Sequence, residues 1–142
     1  MKILVIEDNL KHLDDAKRFF AEQAGVQPIF TSTFHGAARF LEKGKVDGVI
    51  SDIYFPLTND ITWGQPEAIG VSVMILCRER KIPCVLNTAG YHHGTRYQWV
   101  CDLQRALGLP EIVDASSNYN QEADTKNWQQ AFDALRELIS RA

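Results

Sequence analysis

The sequence predicts an α/β protein in which a doubly wound, five-stranded parallel sheet is flanked by five helices. Short apolar runs alternate along the chain with segments whose apolar residues recur at helical spacing. The first run, residues 2–7, suits a strand that is buried on both faces. Such alternation implies right-handed crossovers and a parallel sheet covered on both sides. The pattern extends over residues 1–142, so we expect a single domain.

The boundaries of the first two helices follow from capping residues. The first predicted helix begins after Asn9, a good helix cap, and ends before Gly25. Its apolar face is expected to carry Leu10, Leu13, Phe20 and Ala24. The second helix is predicted from Thr33 to Lys43, and Gly44 ends it. The remaining strands are predicted at residues 28–32, 46–51, 83–87 and 111–114.

Three further helices are predicted in the second half of the chain. They cover residues 66–80, residues 95–107 and a last segment after the polar loop 115–125. Pro66 stands at the start of the first of these, where proline is well tolerated. The apolar face of the last helix is expected to carry Trp128, Ala131 or Phe132, Leu135, and Leu138 or Ile139. A long irregular segment, residues 53–65, precedes the third helix.

Composition excludes several classes of function. No apolar stretch approaches the roughly 18 residues that a membrane-spanning helix needs, so no membrane partner is expected. The net charge of −3 argues against nucleic acid as a direct partner. Three widely spaced cysteines, Cys77, Cys84 and Cys101, lie in apolar contexts and are expected to be buried free thiols of a cytoplasmic protein.

Polar side chains stand where the predicted strands end. Glu7 and Asp8 follow the first strand, Asp52 closes the third, and Thr88 and Asp114 end the fourth and fifth. The carboxyl ends of parallel strands meet at one edge of the sheet, where ligands bind. Carboxylates that converge there repel one another, and Mg²⁺ relieves the repulsion while accepting phosphate oxygens. A carboxylate such as Asp52 can attack phosphorus, and the Thr88 hydroxyl can contact a phosphoryl oxygen.

Several segments resemble the receiver domain of bacterial two-component response regulators. The matching motifs are KILVIEDN at residues 2–9, VDGVISDIYFP at 46–56 and PCVLNTAG at 83–90, with a weaker match, GVSVMILCR, at 70–78. The resemblance covers essentially the whole chain and implies a flavodoxin-like sheet with strand order 2-1-3-4-5. It implies a stand-alone receiver without an output domain, whose chemistry is at most self-catalysed phosphotransfer.

The resemblance also implies roles for individual residues. Asp52 would accept the phosphoryl group, and Thr88 would contact it and report it to the fourth helix. Asp8 would bind Mg²⁺ directly, Glu7 would act directly or through water, and Asp52 and the backbone carbonyl of Tyr54 would be further ligands. The donor would be a histidine kinase or a phosphotransfer protein. A monomer or weak homodimer would signal by contact with a downstream protein that the sequence does not identify.

One departure from the family concerns its lysine at the end of the fifth strand. That position falls on or near Asp114, and no lysine lies between Lys81 and Lys126. An anion there should weaken phosphoryl binding. Lys126 and Arg96 open the last and fourth helices at the same edge, and both are candidates to supply the lost charge. The family's aromatic switch residue is also absent, and its place is taken by about Glu111.

Two other departures lie at the same edge. The segment 53–65 is longer than its counterpart in the family, and loops of this length are often functional. It could cover the phosphorylation site or present Trp63 to a partner, or it could be a tolerated insertion. The Tyr91-His92-His93 sequence favours a solvated loop, with partner recognition or proton-linked regulation as the second interpretation.

Three alternative functions follow from the same residues. An atypical pseudo-receiver would keep the fold and act as a phosphorylation-independent binding module. A Mg²⁺-dependent phosphohydrolase is disfavoured because such enzymes usually carry a second aspartate two residues after the nucleophile, where this chain has Tyr54. A flavodoxin-like electron carrier is disfavoured because no Ser/Thr/Gly-rich phosphate loop follows the first strand.

Overall fold

The computed structural model describes residues 1–60, 64–91, 96–116 and 122–142. The strands within them are β1 (Lys2–Ile6), β2 (Gln27–Thr31), β3 (Gly48–Ser51), β4 (Phe55–Pro56), β5 (Pro66–Glu67), β6 (Cys84–Thr88) and β7 (Val113–Asp114). The helices are α1 (Leu10–Ala21), α2 (Phe34–Glu42), α3 (Gly70–Glu79), α4 (Gln98–Leu107) and α5 (Trp128–Arg141).

Five of the strands form one parallel sheet in the order β2-β1-β3-β6-β7. Since β6 and β7 are the fourth and fifth predicted strands, the predicted flavodoxin-like fold is confirmed. Ile6 of β1 is in register with Ser51 of β3, and Ser51 is in register with Leu86 of β6. The chain winds in opposite directions from β1, so a crevice is expected at the carboxyl ends of β1 and β3. This fold is compatible with a receiver domain.

The sheet separates two apolar layers. Residues alternate along β1, so Ile3 and Val5 pack in the layer of α1 and α5, while Leu4 and Ile6 pack in the layer of α2, α3 and α4. In the first layer the rings of Phe20 and Phe132 meet edge to face with their centres 5.6 Å apart. Helices on both faces explain why the central strands are apolar at successive positions.

Two element predictions were wrong near the third helix. Pro66 does not begin that helix, which begins at Gly70. Instead, Pro66 and Glu67 form β5, which pairs antiparallel with β4. The segment 53–65 is therefore not wholly irregular, because it contains β4. Strands of two residues are too short to produce a periodic pattern in the sequence, and only their pairing reveals them.

The predicted apolar face of α1 was also wrong at its two ends. Leu10 is 76% exposed, and the buried residues of the helix are His12, Ala16 and Phe20. Ala24 lies beyond the end of the helix at Ala21. The buried residues of α1 recur at helical spacing, as predicted, but Leu10, the first apolar residue of the helix, faces solvent.

The three cysteines are all buried and free, as predicted. Among the described residues, no helix combines the length and apolar character that a bilayer-crossing segment needs. The predictions for Trp63, His92 and His93 fall on residues outside those that the structure describes.

Replacing Asn9 with alanine should lower the free energy of unfolding by about 1 kcal/mol. The Asn9 side chain caps α1 by accepting hydrogen bonds from the backbone N–H groups of Lys11 at 3.0 Å and His12 at 3.3 Å. Alanine leaves both donors without that acceptor. Urea unfolding measures the loss, and Asn59→Ala at an exposed position outside the helices is the matched control. Equal unfolding midpoints for the two variants would contradict the prediction.

Candidate functional site

Three carboxylates converge at the carboxyl ends of β1 and β3. One oxygen each from Glu7, Asp8 and Asp52 lies within 4.8 Å of the others. The sheet ladder fixes this arrangement, because the backbone N–H of Glu7 donates to Thr31 and that of Asp52 donates to Ile6. The side chain of Glu7 is fully buried, whereas that of Asp52 is 16% exposed. Such a cluster could hold a metal ion.

Lys126 lies against two of these carboxylates. Its Nζ is 2.5 Å from Glu7 Oε2 and 3.0 Å from Asp52 Oδ2, and its side chain is only 2% exposed. The lysine precedes α5, whose first turn is capped by the side chain of Asn127. It therefore reaches Asp52 from the start of a helix rather than from the end of a strand. Both contacts are charge-assisted and shielded from water.

Burial and charge together set the protonation of these groups. Burial raises the pKa of Glu7 to about 7, although the charge of Lys126 opposes the shift. Burial also raises the pKa of Asp8, and the negative charge of Asp52 adds to the effect. For Lys126, burial acts to lower the pKa, but the carboxylates of Asp52 and Glu7 outweigh it and the pKa is raised. Lys126 is therefore a cation at neutral pH.

Oxygen ligands for a hard cation are present on the open side of the cluster. Glu7 is held on both oxygens, because Oε1 accepts from the backbone N–H of Asn9 at 3.1 Å and Oε2 contacts Lys126. Asp8 is half-buried and lines the adjoining cavity together with Asp52. These two carboxylates fit a divalent cation that prefers oxygen ligands. Tyr54, whose backbone carbonyl is a further predicted ligand, also lines the cavity.

Thr88 and Asp114 end neighbouring strands at this edge. Thr88 is the last residue of β6, is buried, and accepts a hydrogen bond at Oγ1 from the backbone N–H of Gly90 at 3.1 Å. Asp114 is the last residue of β7 and is in register with Thr88. The structure thus places an acidic residue at the end of the fifth strand of the sheet.

A cavity of about 440 Å³ opens beside Asp52. Its lining combines the hydroxyl-bearing Thr88 with acidic residues and two cations, Lys126 and Arg96. His12 also lines it, and its Nδ1 is buried without a hydrogen-bond partner. Burial lowers the pKa of His12, as does the charge of Lys126. The volume lies within the range of small-molecule sites.

Arg96 lines the same cavity as Lys126 but has different partners. Its guanidinium carbon lies 4.3 Å from the centre of the Tyr54 ring and 5.0 Å from that of the Tyr97 ring. It donates to the Tyr97 hydroxyl at 2.9 Å and to Glu122 Oε1 at 3.4 Å. Of the two candidate cations, Lys126 is the one that contacts Asp52, while Arg96 is held by two tyrosines and a glutamate.

Sequence reasoning missed the roles of Tyr97, Glu122 and His12. No motif marks Tyr97 or Glu122. Tyr97 is the sequence neighbour of Arg96, whereas Glu122 meets Arg96 only through folding of a distant segment. The position of His12 follows from the helical period once the phase of α1 is known.

Neither the comparison with models of known protein families nor the search of curated proteins finds a match for this chain. The fold and the geometry of this edge are therefore the features that bear on function.

Proposed function

We propose that this chain is a receiver domain that accepts a phosphoryl group on Asp52 from a histidine kinase or a phosphotransfer protein and signals by protein contact. The observation that carries the proposal is the 3.0 Å contact between Lys126 Nζ and Asp52 Oδ2 beside the acidic cluster. A phosphoryl group on Asp52 needs a nearby cation. Strand β7, which ends in Asp114, does not supply that cation, whereas Lys126 does.

The proposed reaction transfers a phosphoryl group to a side-chain oxygen of Asp52. A new O–P bond forms while the bond between phosphorus and the donor atom breaks, and the donor leaves with that electron pair. Mg²⁺, held by Asp8 and Asp52, would neutralise charge on the group being transferred. Lys126 is anchored by Glu7 at 2.5 Å, so its charge is in place before the donor arrives. The Thr88 hydroxyl would donate to a phosphoryl oxygen.

A second candidate is the pseudo-receiver that binds a partner without phosphorylation. One observation favours it: both oxygens of Asp52 already have partners inside the protein. Oδ1 accepts from the backbone N–H of Ile53 at 2.7 Å, and Oδ2 contacts Lys126. A carboxylate held in this way is stabilised without a phosphoryl group or a metal ion.

Intact-mass spectrometry after incubation with acetyl phosphate and Mg²⁺ tests the proposal. The wild-type protein should gain the mass of one phosphoryl group, and Asp52→Ala should gain none. Asp102→Ala, which changes an exposed aspartate of α4, is the matched control and should behave as wild type. Hydroxylamine should remove the added mass, because it cleaves acyl phosphates and leaves phosphoserine and phosphothreonine intact.

A beryllofluoride titration measures binding of a phosphoryl analogue at Asp52 directly. It therefore tests the site even if acetyl phosphate is a poor phosphoryl donor. Binding that requires Asp52 and Mg²⁺ supports the receiver. A wild-type protein that gains no mass and binds no beryllofluoride would contradict the proposal and favour the phosphorylation-independent module.

A further inference from the structure

The contacts of Arg96 are of the kind that a competing anion can replace. Its partner Glu122 is 62% exposed, and the distance between the charged groups is 3.4 Å. Exposed pairs of this type contribute little free energy. Among the described residues, the hydrogen bonds of the Arg96 side chain come from Nη2, and its stacking on Tyr54 at 4.3 Å uses no N–H donor. Arg96 therefore has donors and charge to offer to another ligand of the same cavity.

A phosphoryl group on Asp52 would need a second cation besides Lys126. Lys126 is already shared between Glu7 and Asp52. A phosphoryl group would bring up to about two negative charges and three acceptor oxygens into the cavity. Apart from Lys126, Arg96 is the one arginine or lysine among the described residues that line the cavity. Its planar guanidinium group presents paired N–H donors in a fixed geometry that matches two phosphoryl oxygens, whereas a lysine acts as a point charge.

We propose that Arg96 is a second phosphoryl-binding residue of this site, held by Glu122, Tyr54 and Tyr97 until a phosphoryl group on Asp52 draws it away. This inference rests on the proposed phosphorylation of Asp52. On binding, the guanidinium group exchanges the Glu122 carboxylate for phosphoryl oxygens and leaves the ring of Tyr54. Because Tyr97 directly precedes α4, the exchange changes the contacts at the start of that helix. The departure of Arg96 thus links the phosphoryl group to α4 in a chain without the family's aromatic switch residue.

Beryllofluoride and Mg²⁺ titrations of a matched set of variants test this inference. Arg96→Gln should weaken beryllofluoride binding about tenfold, since one charge-assisted contact is lost. Arg96→Lys should recover only part of the loss. Glu122→Gln should strengthen beryllofluoride binding about twofold to fivefold, because it removes an exposed competitor for the guanidinium group. Arg105→Gln, at an exposed position of α4, is the control and should bind as wild type.

Two readouts separate phosphoryl binding from a merely structural role. The affinity for Mg²⁺ alone should not fall in the Arg96 variants, because Arg96 has no part in the metal site. The ring signals of Tyr54 and Tyr97, observed by NMR, should shift on addition of beryllofluoride to the wild type, and this shift should be much smaller in Arg96→Gln. A structural role would weaken binding of Mg²⁺ and of beryllofluoride together.

The outcomes distinguish this inference from the function on which it rests. A wild-type protein that binds beryllofluoride while Arg96→Gln binds it equally well would overturn the role of Arg96 and leave the receiver proposal standing. Weaker binding by Glu122→Gln would also overturn it. A wild-type protein that neither binds beryllofluoride nor accepts a phosphoryl group would overturn both.

Discussion

Replacing Lys126 with methionine is expected to reduce phosphorylation of Asp52 about a hundredfold and to destabilise the fold by about 3–5 kcal/mol. Methionine retains much of the length of the lysine side chain but removes the charge that contacts Glu7 and Asp52. The two carboxylates then share a buried edge without their cation. Breaking a buried ion pair on one side is costly because the remaining charge stays buried without its counter-ion.

The destabilisation of Lys126→Met should increase with pH. In the wild type, burial raises the pKa of Glu7 from 4.5 to about 7 against the opposing charge of Lys126. Without Lys126 that pKa rises further, so the folded variant binds the Glu7 proton more tightly than the unfolded chain does. The contribution of a group with a raised pKa is fully present below its unfolded pKa and is lost as pH rises through its folded pKa. Below about pH 7 Glu7 holds its proton in both folded proteins, so the difference from wild type in urea unfolding should widen as the pH rises above about 7.

Two variants control this prediction. Lys11→Met removes an exposed lysine and should change the free energy of unfolding by less than about 0.5 kcal/mol. Glu7→Gln combined with Lys126→Met removes the most buried carboxylate and should be more stable than Lys126→Met alone at high pH. A Lys126→Met protein as stable as Lys11→Met, with no dependence on pH, would show that the buried contacts do not stabilise the fold.

The sequence was sufficient to predict the sheet because the signals for it are local. Residues 3–6 of β1 are apolar at successive positions, which is typical of a strand covered on both faces. Once the strands are known to be parallel, Glu7 and Asp52 must lie at one edge, and they do. The pairing of β4 with β5 could not be predicted in this way. Each strand has only two residues, so no periodic pattern marks it, and it is recognised only by its pairing with the other strand.

Side-chain geometry at the edge depends on how the helices dock. The sequence points to Lys126 and Arg96 as candidates for a cation beside Asp52, since both precede helices at the same edge of the sheet. Choosing between them requires the position of α5, which brings Lys126 within 3.0 Å of Asp52. The same reason explains the error at Leu10. The period of α1 is visible in the sequence, whereas the phase that buries His12 instead depends on packing against the sheet.

Replacing Gly70 with alanine is expected to destabilise the fold by about 2–3 kcal/mol and to weaken beryllofluoride binding at Asp52. The added Cβ would meet the carbonyl oxygen of Asp52 and would lie 2.8 Å from the Cα of Ile53. Both are backbone atoms that cannot rotate away. The N–H of Gly70 also donates to the carbonyl of Ile53 at 2.9 Å, so the start of α3 is docked directly on the segment that carries Asp52.

Ser72→Ala is the control for this substitution because it places alanine at an exposed position of the same helix. Its unfolding free energy should match or slightly exceed that of wild type, since alanine favours helix. If Gly70→Ala unfolds like Ser72→Ala and binds beryllofluoride like wild type, the close approach of α3 does not constrain the site. Loss of stability without loss of binding would mean that the backbone of Asp52 is held by the β1 and β3 ladder alone. Loss of both would mean that α3 positions the carboxylate, and that the long segment preceding Gly70 must end where it does to keep Asp52 in place.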